Sequence, residues 1–249
     1  MRTQELEVVD LSKNYGKGNA LTQALKGVSF SMNEGEFLSV MGPSGSGKST
    51  LLNLIATLDR KSGGKIVIGG ESLDDVEEKD LAKFRREKLG FIFQDFSLLD
   101  SLSAYDNIAL PLCINRMDPQ GIRAVVTRLA ETLGIGGLLD KYPYECSGGE
   151  KSRIASARAL ANSPELLLAD EPTGALDSKS SLALLESLRK FNESNGTTIL
   201  MVTHDPFAAS FSSRLLFLED GLISKEIVRK GSRKEFFDEI MEIASERGE

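Results

Sequence analysis

Apolar residues along this chain recur in two rhythms, every second residue in some stretches and every three to four in others, which imply strands and helices. Residues 5–11 place Leu6, Val8 and Leu11 on one side of a strand, and Tyr15-Gly16 begins a polar turn. Val28, Phe30 and Met32 alternate with serines, and Asn33-Glu34-Gly35 turns the chain into the apolar run Phe37-Leu38-Ser39-Val40-Met41. Leu51, Leu52, Leu54, Ile55 and Leu58 then lie on a helical stripe, followed by a turn at 61–64 and a short strand over 65–68. These first strands predict a small antiparallel sheet beside the loop that separates residue 41 from residue 51.

The spacing next predicts a charged helix over 75–88 and a strand over 89–93 that ends at Gln94. Between about 102 and 140 the pattern is helical, with Ile122, Val125, Val126, Leu129 and Leu133 on one face. A helix through about Ala161, an apolar strand at 166–169, a helix over 178–191 and a buried strand over 197–202 follow. A hairpin around Glu219-Asp220-Gly221 and an amphipathic helix carrying Phe236, Phe237, Ile240, Met241 and Ile243 close the chain. Helices alternating with apolar strands predict an α/β fold, a mostly parallel sheet covered on both faces.

Composition narrows the partners. The 249 residues suffice for one large domain or two small ones. Acidic residues outnumber basic ones, 37 to 30, so the net charge of −7 argues against a nucleic-acid partner. No apolar stretch approaches the ~18 residues of a membrane span, and the first residues lack the apolar core of a signal peptide. Two cysteines, Cys113 and Cys146, without metal-like spacing fit a reduced, cytosolic setting.

The loop before Leu51 carries the chemistry. Gly42-Pro43-Ser44-Gly45-Ser46-Gly47-Lys48-Ser49-Thr50 has the phosphate-loop pattern in the strand–loop–helix context that pattern needs. Its glycines let successive N–H groups turn toward phosphate oxygens, and the following helix presents its positive end. Lys48 is expected to reach the β- and γ-phosphates and the Ser49 hydroxyl to coordinate magnesium. One such loop per chain means one nucleoside triphosphate, held with Mg2+.

Four other features agree with it. Asp170-Glu171 ends the apolar strand at 166–169, the place where a doubly wound sheet holds its ligand. Asp170 is expected to hold magnesium and Glu171 to polarise the attacking water. His204, the only histidine, follows the next apolar strand and can offer a ring N–H to the γ-phosphate. Gln94 supplies an amide for magnesium and water at the end of a third strand. Ser147-Gly148-Gly149 is a second Gly-rich turn opening a helix, hence a second anion site. One triphosphate does not need both sites from one chain, so the second is expected to serve a nucleotide held by another subunit.

With these motifs in this order, the chain resembles the ATP-binding cassette subunits of ABC transporters over essentially its whole length. The resemblance implies a P-loop NTPase fold of ABC type. A core and antiparallel β subdomain would occupy about 1–95 and 141–230, a helical subdomain about 96–160, and a C-terminal helix 232–247. It implies two copies packed head to tail around two ATP, so that Ser147, Gly148, Gly149 and Asp177 of one copy meet the nucleotide of the other. It also matches Tyr15 to the aromatic residue that stacks on adenine. A separate integral membrane permease would receive the motion, placing this chain at the cytoplasmic face of the membrane. The helical insertion and Phe96, Leu98, Leu99 and Leu102 are the expected contact.

The stretches 90–99 and 107–112 look like the branch serving macrolide export, lipoprotein release and antimicrobial-peptide resistance. Residues 141–144, 170–179 and 232–237 look most like the bacitracin-type resistance subunits. Members of the same branch that transmit force or signal without carrying a substrate are the alternative. Only 53 positions separate Gln94 from Ser147, too few for the long coiled coil of chromosome-maintenance cassettes. Two departures stand out: Cys146 where the family usually has Leu, and Glu150 where it usually has Gln. Cys146 reads as a packing residue or, less simply, a reactive thiol. Glu150 is expected to bring a negative charge near the partner's nucleotide, offset by Lys151 and Arg153.

Overall fold

A computed structural model describes residues 4–16, 18 and 21–246 of the chain. Two sheets form its frame. The first contains β1 (Gln4–Tyr15), β2 (Thr22–Asn33), β4 (Gly63–Ile68) and β5 (Glu71–Ser72), antiparallel in the order β2-β1-β4-β5. The second has the order β10-β9-β3-β8-β7-β6. Its members are β3 (Phe37–Met41), β6 (Leu89–Ile92), β7 (Leu166–Asp170), β8 (Thr198–Thr203) and β9 (Arg214–Glu219), all parallel, with β10 (Leu222–Val228) antiparallel at the edge. Among the described residues eight α-helices pack around them: α1 (Lys48–Ile55), α2 (Leu81–Lys88), α3 (Ala104–Ile114), α4 (Pro119–Thr132), α5 (Gly148–Leu160), α6 (Ser178–Asn195), α7 (Pro206–Ala209) and α8 (Arg233–Glu246).

Period-two alternation sorts the central strands between cores. Leu167, Ala169, Ile199 and Met201 face a core built with α3, α4, α5 and α6, including Ile108, Leu129, Ile154 and Leu188. Their neighbours Leu166, Leu168, Leu200 and Val202 face the other way, onto α1 and the inner face of the antiparallel sheet. A third cluster joins Leu215 and Phe217 to Phe236, Ile240 and Ile243, so α8 covers its own sheet. Burial on both faces is why these strands read as continuous apolar runs.

Three element boundaries differ from the expectation by four residues or more, each for a physical reason. β1 continues to Tyr15 because its pairing with β2 survives register shifts between Val8 and Leu11. A bulge at Asp10, whose φ is 46°, moves the inward positions from Leu6 and Val8 to Leu11 and Lys13, which hides the alternation. The charged helix over 75–88 shortens to α2, since the chain bends after the Asp75 N to Ser72 O turn and residues Glu78–Asp80 wind as a short 3-10 helix before it. α6 runs four residues past 191 because Asn192 bonds the Gly35 and Thr197 carbonyls and Gly196, in the left-handed region, ends it.

One frame residue makes stability depend on pH. Glu5 in β1 is buried, and among the described residues no donor reaches its Oε1. Burial raises its carboxyl pKa, the charges of Glu165 and Glu34 raise it further, and Lys88 lowers it. Such a group contributes stability below its unfolded pKa and loses it as pH rises through the folded value. Glu5→Gln is therefore expected to raise Tm at pH 8, with the gain vanishing near pH 4. Equal Tm values for variant and wild type at pH 8 would refute this account.

Candidate nucleotide site

β3, β7 and β8 end side by side, and their C-terminal ends deliver the site. Between β3 and α1 the loop at 42–47 curls tightly against its surroundings. A methyl group on Gly42 would lie 2.0 Å from the Leu218 carbonyl oxygen, so no other residue fits there. Gly47 starts α1 at φ 104°, and a methyl group there would stand 2.7 Å from the Ala24 carbonyl oxygen. Ser46, within the loop, is buried. The result is a cleft of about 690 Å³ lined by Ala24, Gly42–Gly45, Gly47–Thr50, Gln94, Glu171 and His204.

Lys48 lies largely buried along the loop, its Nζ donating to the Gly42 and Pro43 carbonyls at 2.6 and 2.9 Å. Ser49 Oγ donates to Asp170 Oδ1 at 3.4 Å. The Asp170 pKa is raised, first by burial and then by the charge of Glu171, against the lowering by Ser49 and Lys48. A half-buried carboxylate beside a hydroxyl is a donor set of hard oxygens that suits a small divalent cation.

Glu171 adopts a left-handed backbone, φ 44°, unusual for a residue with a side chain. Its N–H donates to the Val202 carbonyl at 3.0 Å, tying it to the end of β8. Its carboxylate takes hydrogen bonds from the His204 backbone N–H (3.3 Å, at Oε2) and faces His204 Nδ1 (2.9 Å, at Oε1). β7 and β8 are neighbours, and that adjacency brings Glu171 and His204 together. The His204 ring is otherwise open to solvent. Gln94, two residues past β6, lies over Gly174 on the same side of the cleft.

Other residues singled out from sequence stand apart. Tyr15, at the end of β1, is not among the cleft-lining residues. Its hydroxyl donates to Asp59 at 2.7 Å, and Lys13 Nζ sits 4.7 Å from its ring centroid. Ser147 caps α5, outside the cleft, and Gly148 packs toward Ala175 and Leu176. Asp177 caps α6, taking hydrogen bonds from Lys179 N, Ser180 N and Ser180 Oγ. Ala24 is a lining residue that sequence reading missed, since only the folded approach of β2 to Gly47 brings it there.

The two departures from the family pattern have local explanations. Glu150 folds back so that its Oε2 accepts from the Ser147 N–H at 2.8 Å, a capping box in which Glu150 N returns a bond to Ser147 Oγ. Those bonds lower its carboxyl pKa and aim the carboxylate at its own backbone. Cys146 is buried in the helical core, and burial followed by the Glu150 charge raises its thiol pKa. A thiol held protonated this way packs rather than reacts. The apolar stretch after Gln94 divides likewise: Leu98 packs on the helical core, whereas Leu99 is exposed.

Comparison with known proteins places this geometry. Residues 25–174 match the family described as ABC transporter. ABC transporter ATP-binding protein YxdL of Bacillus subtilis is 48% identical over 243 residues, covering 98% of this chain and 94% of that protein. Bacitracin export ATP-binding protein BceA of Halalkalibacterium halodurans is 47% identical, covering 95% of this chain and 94% of that one. Solved structures of the cassette MJ0796, one dimeric and one a dimeric post-hydrolysis state bound to ADP and Pi, superpose with TM-scores of 0.83 at 39% identity. Each covers 91% of this chain and 100% of its own. Identity of this degree over nearly full length, together with a phosphate loop that shares its cleft with Glu171 and His204 just past the ends of β7 and β8, puts the chain in the ABC transporter family.

Proposed function

We propose that this chain is an ATP-hydrolysing cassette in which two copies close around two ATP molecules and drive a separate membrane permease, in antimicrobial-peptide resistance. The observation that carries the reading is the separation of two anion sites. Lys48, Ser49, Gln94, Glu171 and His204 line one cleft, while Ser147, Gly148 and Gly149 open α5 outside it. A second copy brings its α5 to the first copy's cleft, and the dimeric MJ0796 structures support that assembly. The name of BceA supports the peptide-resistance assignment. The names of the bacitracin-export and lipoprotein-releasing relatives support a membrane permease as the partner, with this chain at its cytoplasmic face; among the described residues no helix is long and apolar enough to cross a membrane. An apolar groove between α3, α5 and β6, lined by Phe91, Phe93, Leu110, Pro111 and Ile114, offers that permease a seat.

The chemistry follows from the cleft. Lys48 exchanges its carbonyl partners for the β- and γ-phosphate oxygens of ATP. Ser49, Asp170 and Gln94 would hold Mg2+, which would neutralise phosphate charge. The carboxylate of Glu171, held in place by the His204 backbone and ring, takes the proton of the attacking water. The water oxygen bonds to the γ-phosphorus as its bond to the bridging oxygen breaks, and ADP carries away that electron pair. Gln94 orients the water. Tyr15 stacks on adenine once its hydroxyl bond to Asp59 is rearranged. Ser147, Gly148, Gly149 and Asp177 of the second copy complete the shell, so ATP stabilises the closed pair by its contacts with both copies.

The test is the dependence of turnover on concentration. If two copies build each site, ATPase activity per mole of chain rises with protein concentration below the pairing range and then levels off. Activity per mole that stays constant down to concentrations where only single chains exist would overturn the reading.

A further inference from the structure

Just past Gln94, the consecutive residues Phe96 and Ser97 both lie in the left-handed region, at φ 64° and 45°. Side chains disfavour that backbone, so such a pair persists only where its surroundings hold it. Arg158 supplies the hold. Its Nη1 donates to the Ser97 carbonyl at 2.6 Å and its Nη2 to the Phe96 carbonyl at 3.0 Å. The planar guanidinium fork spans two adjacent carbonyls, which an ammonium cannot match in geometry. Burial works against the charge of Arg158, and the Asp95 carboxylate supports it. Asp95 also takes a hydrogen bond from Ser97 Oγ at 2.6 Å, closing the loop on itself.

Arg158 stands on α5, the helix that Ser147 opens. Eleven residues separate them, about 16 Å along a helix. The intervening face, with Ile154, Ala155 and Ala157, is fully buried. α5 is therefore a rod with Ser147 at one end and the grip on the 95–97 loop near the other.

We infer that Arg158 is a positioning residue that makes the placement of Gln94 follow the placement of α5, and so of Ser147. This rests on the assignment of Gln94 and Ser147 to opposite sides of the nucleotides in a closed pair. When Ser147 engages the partner copy's phosphate, any movement of α5 is passed through the two carbonyl bonds to the loop beside Gln94. Hydrolysis at one site then depends on engagement at the other, because each copy carries one Gln94 and one Ser147.

Arg158→Lys keeps the charge and the stem and removes the fork. The expected result is a fall in kcat of about tenfold, the scale of one lost charge-assisted hydrogen bond, with KM for ATP unchanged within about twofold. Amide hydrogen exchange at residues 95–98 should speed up by a similar factor, while β7 amides exchange as in wild type. Unchanged kcat and loop exchange would overturn the inference. So would a variant that fails to fold, or one whose β7 exchanges faster too, since Arg158 would then serve stability alone. A wild-type chain without ATP turnover, alongside faster loop exchange in the variant, would overturn the nucleotide assignment and the positioning role together. An active wild type with an unaltered variant would overturn the positioning role alone.

Discussion

Replacing Glu171 with Gln is expected to lower ATP turnover at least about 10²-fold, the scale of a lost general base, while ATP still binds. The amide has the size of the carboxylate but cannot accept the proton of the attacking water. Its oxygen can still accept from the His204 backbone N–H, now 3.3 Å from Oε2, and its NH2 can donate to His204 Nδ1, now 2.9 Å from Oε1, so the cleft keeps its shape. The left-handed backbone of Glu171 is held by Val202 O and is independent of the side chain's charge. Phosphate loop and α5 remain intact, so ATP continues to favour the closed pair over the open chains. Because hydrolysis no longer removes that preference, the pair should persist. Light scattering with ATP and Mg2+ should report twice the single-chain mass for the variant, and phosphate release should be close to background. Phosphate release near the wild-type rate would remove Glu171 from the role of base.

Lys48→Ala is expected to weaken ATP binding by about 10²–10⁴-fold, the sum of two charge-assisted hydrogen bonds to phosphate at about 1.5–3 kcal/mol each. The side chain is largely buried against its own loop, so its charge faces the cleft with little water to screen it. The variant loses the donors now spent on the Gly42 and Pro43 carbonyls, but the loop keeps its path. Gly42 remains confined by Leu218 and Gly47 by Ala24. Folding should therefore be close to normal while nucleotide affinity collapses. Titration with a fluorescent ATP analogue measures this directly. Affinity within about threefold of wild type would mean that the backbone amides and helix end do most of the binding.

Much of this protein follows from local pattern. Apolar runs at 37–41, 166–169 and within 197–202 announce buried strands because both of their faces are covered. The phosphate loop is legible because its glycines answer backbone constraints that no other residue meets, and Asp170, Glu171 and His204 are legible as polar residues at the ends of those strands. Contacts between distant segments are another matter. The bulge at Asp10 hides the alternation of β1, since the extra residue is defined only by pairing with β2. The burial of Cys146, the hydroxyl bond of Tyr15 to Asp59 and the grip of Arg158 on Phe96 and Ser97 each join groups whose distance is set by packing. Chemical identity at a strand end is written in the chain itself, because one or two residues carry it. Whether two such groups meet depends on which strands are neighbours, and only the assembled sheet decides that.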